Sequence, residues 1–136
     1  MRKLSLLVAG VALFAIAATN DNSATVETFS GTLVDTKCYS MMPDANKGNE
    51  HIVMKDGEKI KMPGCATACA NMGIPVALLD DAGESHVLAV PATQLAEFMS
   101  LKARIEGQKK TGVLIPDKIE VQKDGKWKEV QIATMM

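Results

Sequence analysis

The sequence predicts a mainly β domain with two short helices, in which five or six strands form a small barrel. Two observations predict this class. Short runs of β-branched and other apolar residues alternate with turn signals built from Gly, Asp, Asn and Pro. Gly31 interrupts the first of these runs, and small barrels use such positions to bend a strand sharply.

The N-terminal segment, residues 1–18, is predicted to be a secretory signal peptide that precedes the domain. Two basic residues open it, residues 4–18 form an apolar run without a charge, and small residues lead to a cleavage site near Ala17 or Ala18. The apolar run is shorter than the about 20 residues that a membrane-spanning helix needs. We therefore expect a periplasmic or secreted protein with no membrane span after signal cleavage.

The mature chain has the size of one domain and a slightly acidic charge. About 118 of the 136 residues remain after cleavage, and the single domain is predicted over residues 25–133. The full chain has 15 basic and 16 acidic residues, so loss of the two basic signal residues leaves 13 against 16. Such a surface attracts phosphate backbones weakly, and the mature chain has few aromatic residues for base stacking. We expect no nucleic-acid partner.

The first predicted elements are a strand, a loop and a hairpin. Residues 25–37 favour a strand, in which Gly31 predicts a bulge or a bend. Residues 40–50 carry Pro, Asp, Asn and Gly and are predicted to be a loop. Residues 51–61 predict a small hairpin with an Asp-Gly turn.

The middle of the chain predicts two helices separated by a second hairpin. Residues 65–72 are rich in alanine and favour a helix, which a following Gly and Pro would end. Residues 76–79 and 86–90 predict a hairpin around an Asp-Asp-Ala-Gly turn, and residues 91–101 predict the second helix. Further strands are predicted at residues 103–107, 112–115, 118–122 and 127–132.

The order of these elements is that of an OB-like barrel, because a bent first strand is followed by a hairpin, a helix and further strands. The chain also resembles small exported bacterial domains of uncharacterised function. In those domains a strand that ends in Asp-x-x-Cys-Tyr is followed by a Cys-x-x-x-Cys helix and a Gly-x-Pro motif. Residues 35–39, 65–69 and 73–75 carry these motifs in this chain. The resemblance implies the architecture and no particular activity.

Soft side chains concentrate between residues 38 and 72, and they predict a metal site. Cys65 and Cys69 are one helical turn apart, so both thiols lie on one face and can bind one ion. Cys38 and His51 can complete a tetrahedral set of three sulfurs and one nitrogen. Thiolates accept both copper(I) and zinc. We therefore predict that Cys38, Cys65, Cys69 and His51 hold one of these two ions.

The methionines and the second histidine carry weaker signals. Met41 and Met42 lie in a polar loop and are candidate accessory ligands, because thioethers bind copper(I) well and zinc poorly. Met54 and Met62 lie on a strand pattern and are expected to fill gaps in the core. His86, at a strand start, is expected to be a surface or cross-strand residue rather than a ligand.

Two alternatives to a metal site remain open from the sequence. Cys38 can form a disulfide with Cys65 or Cys69 in an oxidising compartment, which leaves one spare thiol on a non-catalytic interaction domain. The cysteines can also exchange disulfides, although the Cys-x-x-x-Cys spacing is one residue longer than the usual redox motif. The sequence contains no hydrolase or phosphate-binding motif. We expect binding rather than catalysis, with a metal ion or an unknown exported protein as partner.

Overall fold

The computed structural model describes residues 25–133. The predicted signal peptide at residues 1–18 lies outside the described residues. Within residues 25–133, no helix has the length and apolar character that a membrane crossing requires.

Strands make up most of the regular structure, and the helices are short. The strands are β1 (Glu27–Asp35), β2 (His51–Lys55), β3 (Glu58–Met62), β4 (Val76–Asp80), β5 (Ser85–Leu88), β6 (Lys102–Lys110), β7 (Val113–Lys123) and β8 (Lys126–Val130). The helices are α1 (Thr36–Met41) and α2 (Cys65–Asn71), and 3₁₀ turns occupy Ala92–Gln94 and Ala96–Phe98.

Six of the strands form one ring-like sheet. β1 pairs antiparallel with β4 on one side and with β6 on the other, and β5 and β7 extend these two arms. A short parallel pairing of β5 with β7 joins the two arms, while β8 pairs with the outer side of β7. The strands β2 and β3 form a separate hairpin. The predicted class, mainly β with two short helices, is confirmed, and the six-stranded sheet is ring-like.

The interior of the ring is apolar, and α2 contributes to it. Leu33, Leu78 and Ile119 are fully buried there, together with Ala66 and Ala70 of α2. Because residues 65 and 69 are adjacent to these alanines on the helix, α2 presents its alanines to the core and its cysteines to a second, smaller cluster. This helix therefore fixes the cysteines against the main core.

Gly31 is required by a close approach between strands rather than by a bulge. Its pairing is regular on both sides, with Asp80 in β4 and Ala103 in β6. A Cβ atom at this position would overlap the backbone carbonyl of Leu79. The register irregularity in β6 lies instead between Glu106 and Gly107.

The structure corrects several predicted boundaries. The first strand ends at Asp35, and residues 36–41 form α1, where the sequence predicted strand and loop. The predicted helix at 91–101 is two 3₁₀ turns, held by bonds such as Leu95 N–H to the Ala92 carbonyl. The strands predicted at 112–115 and 118–122 form one continuous strand, β7. Pro116 does not interrupt it, because this residue lies opposite Gly107 at the irregular position, where a missing N–H is tolerated.

Replacing Gly31 with alanine is expected to lower the free energy of unfolding by about 3 kcal/mol, the upper end of what overpacking costs. The reason is the overlap of the added Cβ with the Leu79 carbonyl, which neither strand can relieve without losing its register. Chemical denaturation of the mature protein measures the change.

The matched control is Gly48→Ala, because a Cβ at Gly48 meets no atom within 4 Å among residues 25–133. We expect this variant to differ from the parent by less than about 0.5 kcal/mol. Equal stability of the two variants would contradict the close-approach explanation.

Candidate metal centre

The three cysteines meet in one buried cluster, as the sequence predicted. Cys38 lies in α1, and Cys65 and Cys69 lie in α2. The Sγ atom of Cys38 is 4.0 Å from the Sγ of Cys65 and 4.0 Å from the Sγ of Cys69. All three thiols are free, so the alternative of a disulfide from Cys38 to Cys65 or Cys69 is not formed in this structure. Cys38 is therefore the common neighbour of Cys65 and Cys69.

His51 joins this cluster from the first position of β2. Its side chain is fully buried, and its Nε2 lies 2.9 Å from the Gly48 carbonyl oxygen. Because a carbonyl only accepts, Nε2 carries the proton and donates it, which leaves Nδ1 with a free lone pair in the neutral ring. Ligand atoms of Cys38, His51 and Cys65 all lie within 4.8 Å of one another. The predicted placement of His51 beside the cysteines is therefore observed.

Asp35 is a member of the site that the sequence analysis did not assign. Its Oδ1 accepts the backbone N–H of Cys38 at 2.8 Å and so caps the first turn of α1. Ligand atoms of Asp35, Cys38 and Cys69 lie within 4.8 Å of one another. The preference of aspartate for the position before a helix was the signal in the sequence that could have revealed this cap.

Two buried polar atoms in the site face each other without hydrogen bonds. Oδ2 of Asp35 and Nδ1 of His51 are 3.4 Å apart, and neither has a hydrogen-bond partner anywhere in residues 25–133. A buried polar atom without a partner costs about 1–3 kcal/mol. A proton or a metal ion between these two atoms and the thiols would satisfy both.

Burial and charge keep the thiols of Cys38 and Cys69 protonated while no cation is bound. Burial raises the pKa of the Cys38 thiol to about 12, and the negative charge of Asp35 adds to this effect. Burial, followed by the Asp35 charge, also raises the pKa of Cys69. An ion that binds Cys38 and Cys69 must therefore displace their protons.

The loop between α1 and β2 holds the histidine against the cysteine helix. Asn46 is buried, donates to the carbonyls of Cys38 and Ile52, and accepts the Ile52 N–H at 2.8 Å. These bonds tie the first residues of β2 to α1. Because Ile52 directly follows His51, they fix the distance between the histidine and Cys38.

The same loop also accepts hydrogen bonds from the first backbone N–H groups of α2. The side-chain oxygen of Asn49 accepts both the N–H and the hydroxyl of Thr67, and its backbone carbonyl accepts the Ala66 N–H. Gly64, the residue before the helix, has no capping side chain of its own. Asn49 therefore replaces the local cap and binds the loop to the cysteine helix.

The end of α2 packs back on the cluster. Gly73 has a positive φ of 83°, and Ile74 donates its N–H to the carbonyl of Cys69. This pattern is a Schellman motif, in which the residue after the glycine contacts the last turn of the helix. Ile74 packs against the cysteine cluster accordingly. The motif closes one side of the site with an apolar side chain.

Met54 and Met62 do not lie where the sequence placed them. Met54 and Met62, expected in the core, are 50% and 42% exposed, because the hairpin of β2 and β3 stands apart from the main sheet. The candidate ligand Met41 is 62% exposed at the end of α1, and Met42 is half-buried. Of the two predicted accessory thioethers, Met41 thus lies at the surface and Met42 is only partly accessible.

A second group of titratable residues lies away from the cysteines. His86 is buried, and its ring lies beside the Phe29 ring. Of the two positions expected for this residue, the surface position is wrong and the cross-strand position is observed. Its Nε2 is 2.9 Å from Asp80 Oδ2, which lowers the pKa of Asp80. Glu84 also belongs to this group. The Nζ atom of Lys109 lies 2.6 Å from its Oε1 and lowers the pKa of the Glu84 carboxyl. These residues form an ion-pair network that fastens the β4–β5 turn.

Comparison of the chain with protein-family models, curated proteins and solved structures gives no match. The function is therefore inferred from the side chains of the site.

Replacing Asp35 with asparagine is expected to lower the pKa of Cys38 below about 12 while leaving α1 intact. Asparagine still accepts the Cys38 N–H, but it lacks the charge that opposes the thiolate. A titration of the ultraviolet thiolate absorbance, with circular dichroism as a check on folding, measures the change.

The control for this titration is Asp44→Asn, since Asp44 is exposed in the loop. We expect its thiolate titration to match that of the parent protein. An unchanged or raised thiol pKa in Asp35→Asn would contradict the electrostatic role of Asp35.

Proposed function

We propose that this chain is a small exported domain that binds one soft metal ion, copper(I) or zinc. Its ligands are Cys38, Cys65, Cys69 and His51. One observation carries the proposal, namely the convergence of buried free thiols on Cys38 beside two buried polar atoms without partners. Export rests on the predicted signal peptide.

The sulfur separations fit shared coordination. Two thiolates bound at about 2.3 Å to one ion are about 3.8 Å apart in a tetrahedral site and about 4.0 Å apart in a trigonal one. Cys38 lies 4.0 Å from both Cys65 and Cys69. A disulfide needs about 2.05 Å between its sulfur atoms. The observed spacing supports a metal site over the stapled domain.

The histidine is oriented as a metal ligand usually is. Metal-binding histidines commonly donate their second ring N–H to a carbonyl or carboxylate, which fixes the tautomer. Gly48 provides this acceptor for Nε2, so Nδ1 is the nitrogen that can bind an ion. An ion there would also lie beside Asp35 Oδ2, whose negative charge would offset part of the ion's positive charge.

Thiol–disulfide exchange is less well supported. An exchanging cysteine needs an accessible thiol with a lowered pKa, since the thiolate is the nucleophile. Cys38, Cys65 and Cys69 are buried, and burial raises the pKa of Cys38 to about 12. These features favour thiols that lose their protons only when a strongly bound metal ion displaces them.

The mature protein, isolated from an oxidising compartment, is expected to hold one copper or zinc ion per chain and three free thiols. Elemental analysis and a thiol count under denaturing conditions measure both quantities. The ion should stabilise the fold by about 4 kcal/mol when its free concentration is 1,000 times Kd. Absence of metal, combined with a single free thiol per chain, would contradict the proposal.

Within the same experiment, Cys38→Ala is expected to weaken metal binding more than Cys69→Ala. Cys38 belongs to both groups of candidate ligands, whereas Cys69 belongs to one. Equal effects of the two variants would contradict the central position of Cys38.

A further inference from the structure

Exposed methionines lie in or next to the chain segments that form the proposed metal site. Among the large apolar side chains that residues 25–133 expose, the methionines are Met41, Met54, Met62 and Met72, at 62%, 50%, 42% and 70%. Met41 lies in the helix of Cys38 and Met54 in the strand of His51, whereas Met62 ends the strand before α2 and Met72 follows α2. Exposure of such large apolar side chains calls for an explanation, because the unbranched thioether usually fills gaps in a core.

Met62 occupies a special place among them. It is the last residue of β3 and pairs directly with His51, the first residue of β2. Directly opposed residues point to the same face of a hairpin, with Cβ atoms about 4.5–5.5 Å apart. His51 is fully buried in the site, while Met62 remains partly open to solvent. Within this pair, one residue is therefore accessible to solvent and the other belongs to the ligand cluster.

Two lysines of the hairpin are directed away from Met62. Lys59 and Lys61 alternate with Met62 along β3 and so point to the opposite face. Lys61 is engaged there with Glu50 at 3.1 Å. The face shared by Met62 and His51 carries Val53 and Ile60 further along, which are partly buried, and at its far end Lys55, which pairs with Glu58. The two lysines nearest to Met62 along β3 are thus directed away from it.

We propose that Met62 is the surface ligand that receives a soft monovalent cation, copper(I), and passes it to Cys65 and His51. This inference rests on the proposed metal-binding function and names the ion that the site takes. A thioether is neutral and binds copper(I) but not zinc with useful strength. It can therefore accept the ion at the surface without losing a proton.

The transfer is a ligand exchange without electron transfer. A bond from copper to its carrier breaks as a bond to Met62 Sδ forms. The Cys65 Sγ–H bond then breaks, its proton goes to water, and a Cys65 Sγ–copper bond replaces the one to Met62. Copper stays in the +1 state throughout. Met62 lies three residues before Cys65, so both ligands belong to one short segment.

The test compares Met62→Leu with Met54→Leu in the otherwise unchanged mature protein. Met54 is similarly exposed on the same hairpin, but it pairs with Lys59 on the face opposite to His51. The probe is the copper(I)–bicinchoninate complex, whose loss of colour in a stopped-flow instrument reports copper transfer. Zinc uptake, followed with a chromophoric zinc chelator, is measured in parallel.

We expect Met62→Leu to slow copper(I) uptake about tenfold, a loss typical for a group that supports a metal site. Its equilibrium copper(I) affinity and its zinc uptake should match the parent, because the cysteines and His51 hold the ion. Met54→Leu should match the parent in all three measurements. A structural role of Met62 would change zinc uptake as well, so the zinc rate separates the two explanations.

Parent-like copper(I) uptake by Met62→Leu would overturn the uptake role and leave the metal site intact. A loss of affinity with an unchanged uptake rate would also overturn it, since Met62 would then be a resident ligand. Failure of the parent protein to take up either ion would instead overturn the proposed function.

Discussion

The carboxylate of Asp35 connects the β-sheet to the cysteine cluster, and the rest of the site depends on it. One oxygen caps α1 and turns the chain at the end of β1, which directs Cys38 toward α2. The other oxygen remains buried beside Nδ1 of His51 without a hydrogen bond in the described residues. A buried charge of this kind is costly unless a cation accompanies it. The fold therefore maintains, next to three thiols, a position that favours a positive ion.

The segment between β1 and β4 is a small unit added to the ring of strands. It contains both α-helices, the β2–β3 hairpin and the loop that joins them. Its apolar contribution to the main core comes largely from Ala66 and Ala70 of α2. Polar bonds from Asn46 and Asn49 hold the remaining parts together. Because a bound ion would add bonds between α1, α2 and β2, metal binding and local order are expected to be coupled.

The sequence was informative where a pattern is local and repeated. Alternating runs and glycine turns predicted the strands, and the helical spacing of Cys65 and Cys69 predicted two thiols facing one site. It was less informative where one side chain decides the structure. The cap by Asp35 creates α1, and nothing in a hydrophobic pattern distinguishes that cap from an ordinary strand end. Asn46 was predicted only as a loop residue. Its hydrogen bond to the Cys38 carbonyl could not be predicted, because the two residues come together only in the folded chain. Met62 looked like a core residue because its hairpin could not be separated from the sheet by sequence.

The central claim is that Cys38, Cys65, Cys69 and His51 bind one soft ion together. X-ray absorption spectroscopy of the metal-loaded mature protein tests it most directly. We expect three sulfur ligands at about 2.3 Å and one imidazole nitrogen at about 2.0–2.1 Å around the ion. A first shell of oxygen and nitrogen without sulfur would contradict it.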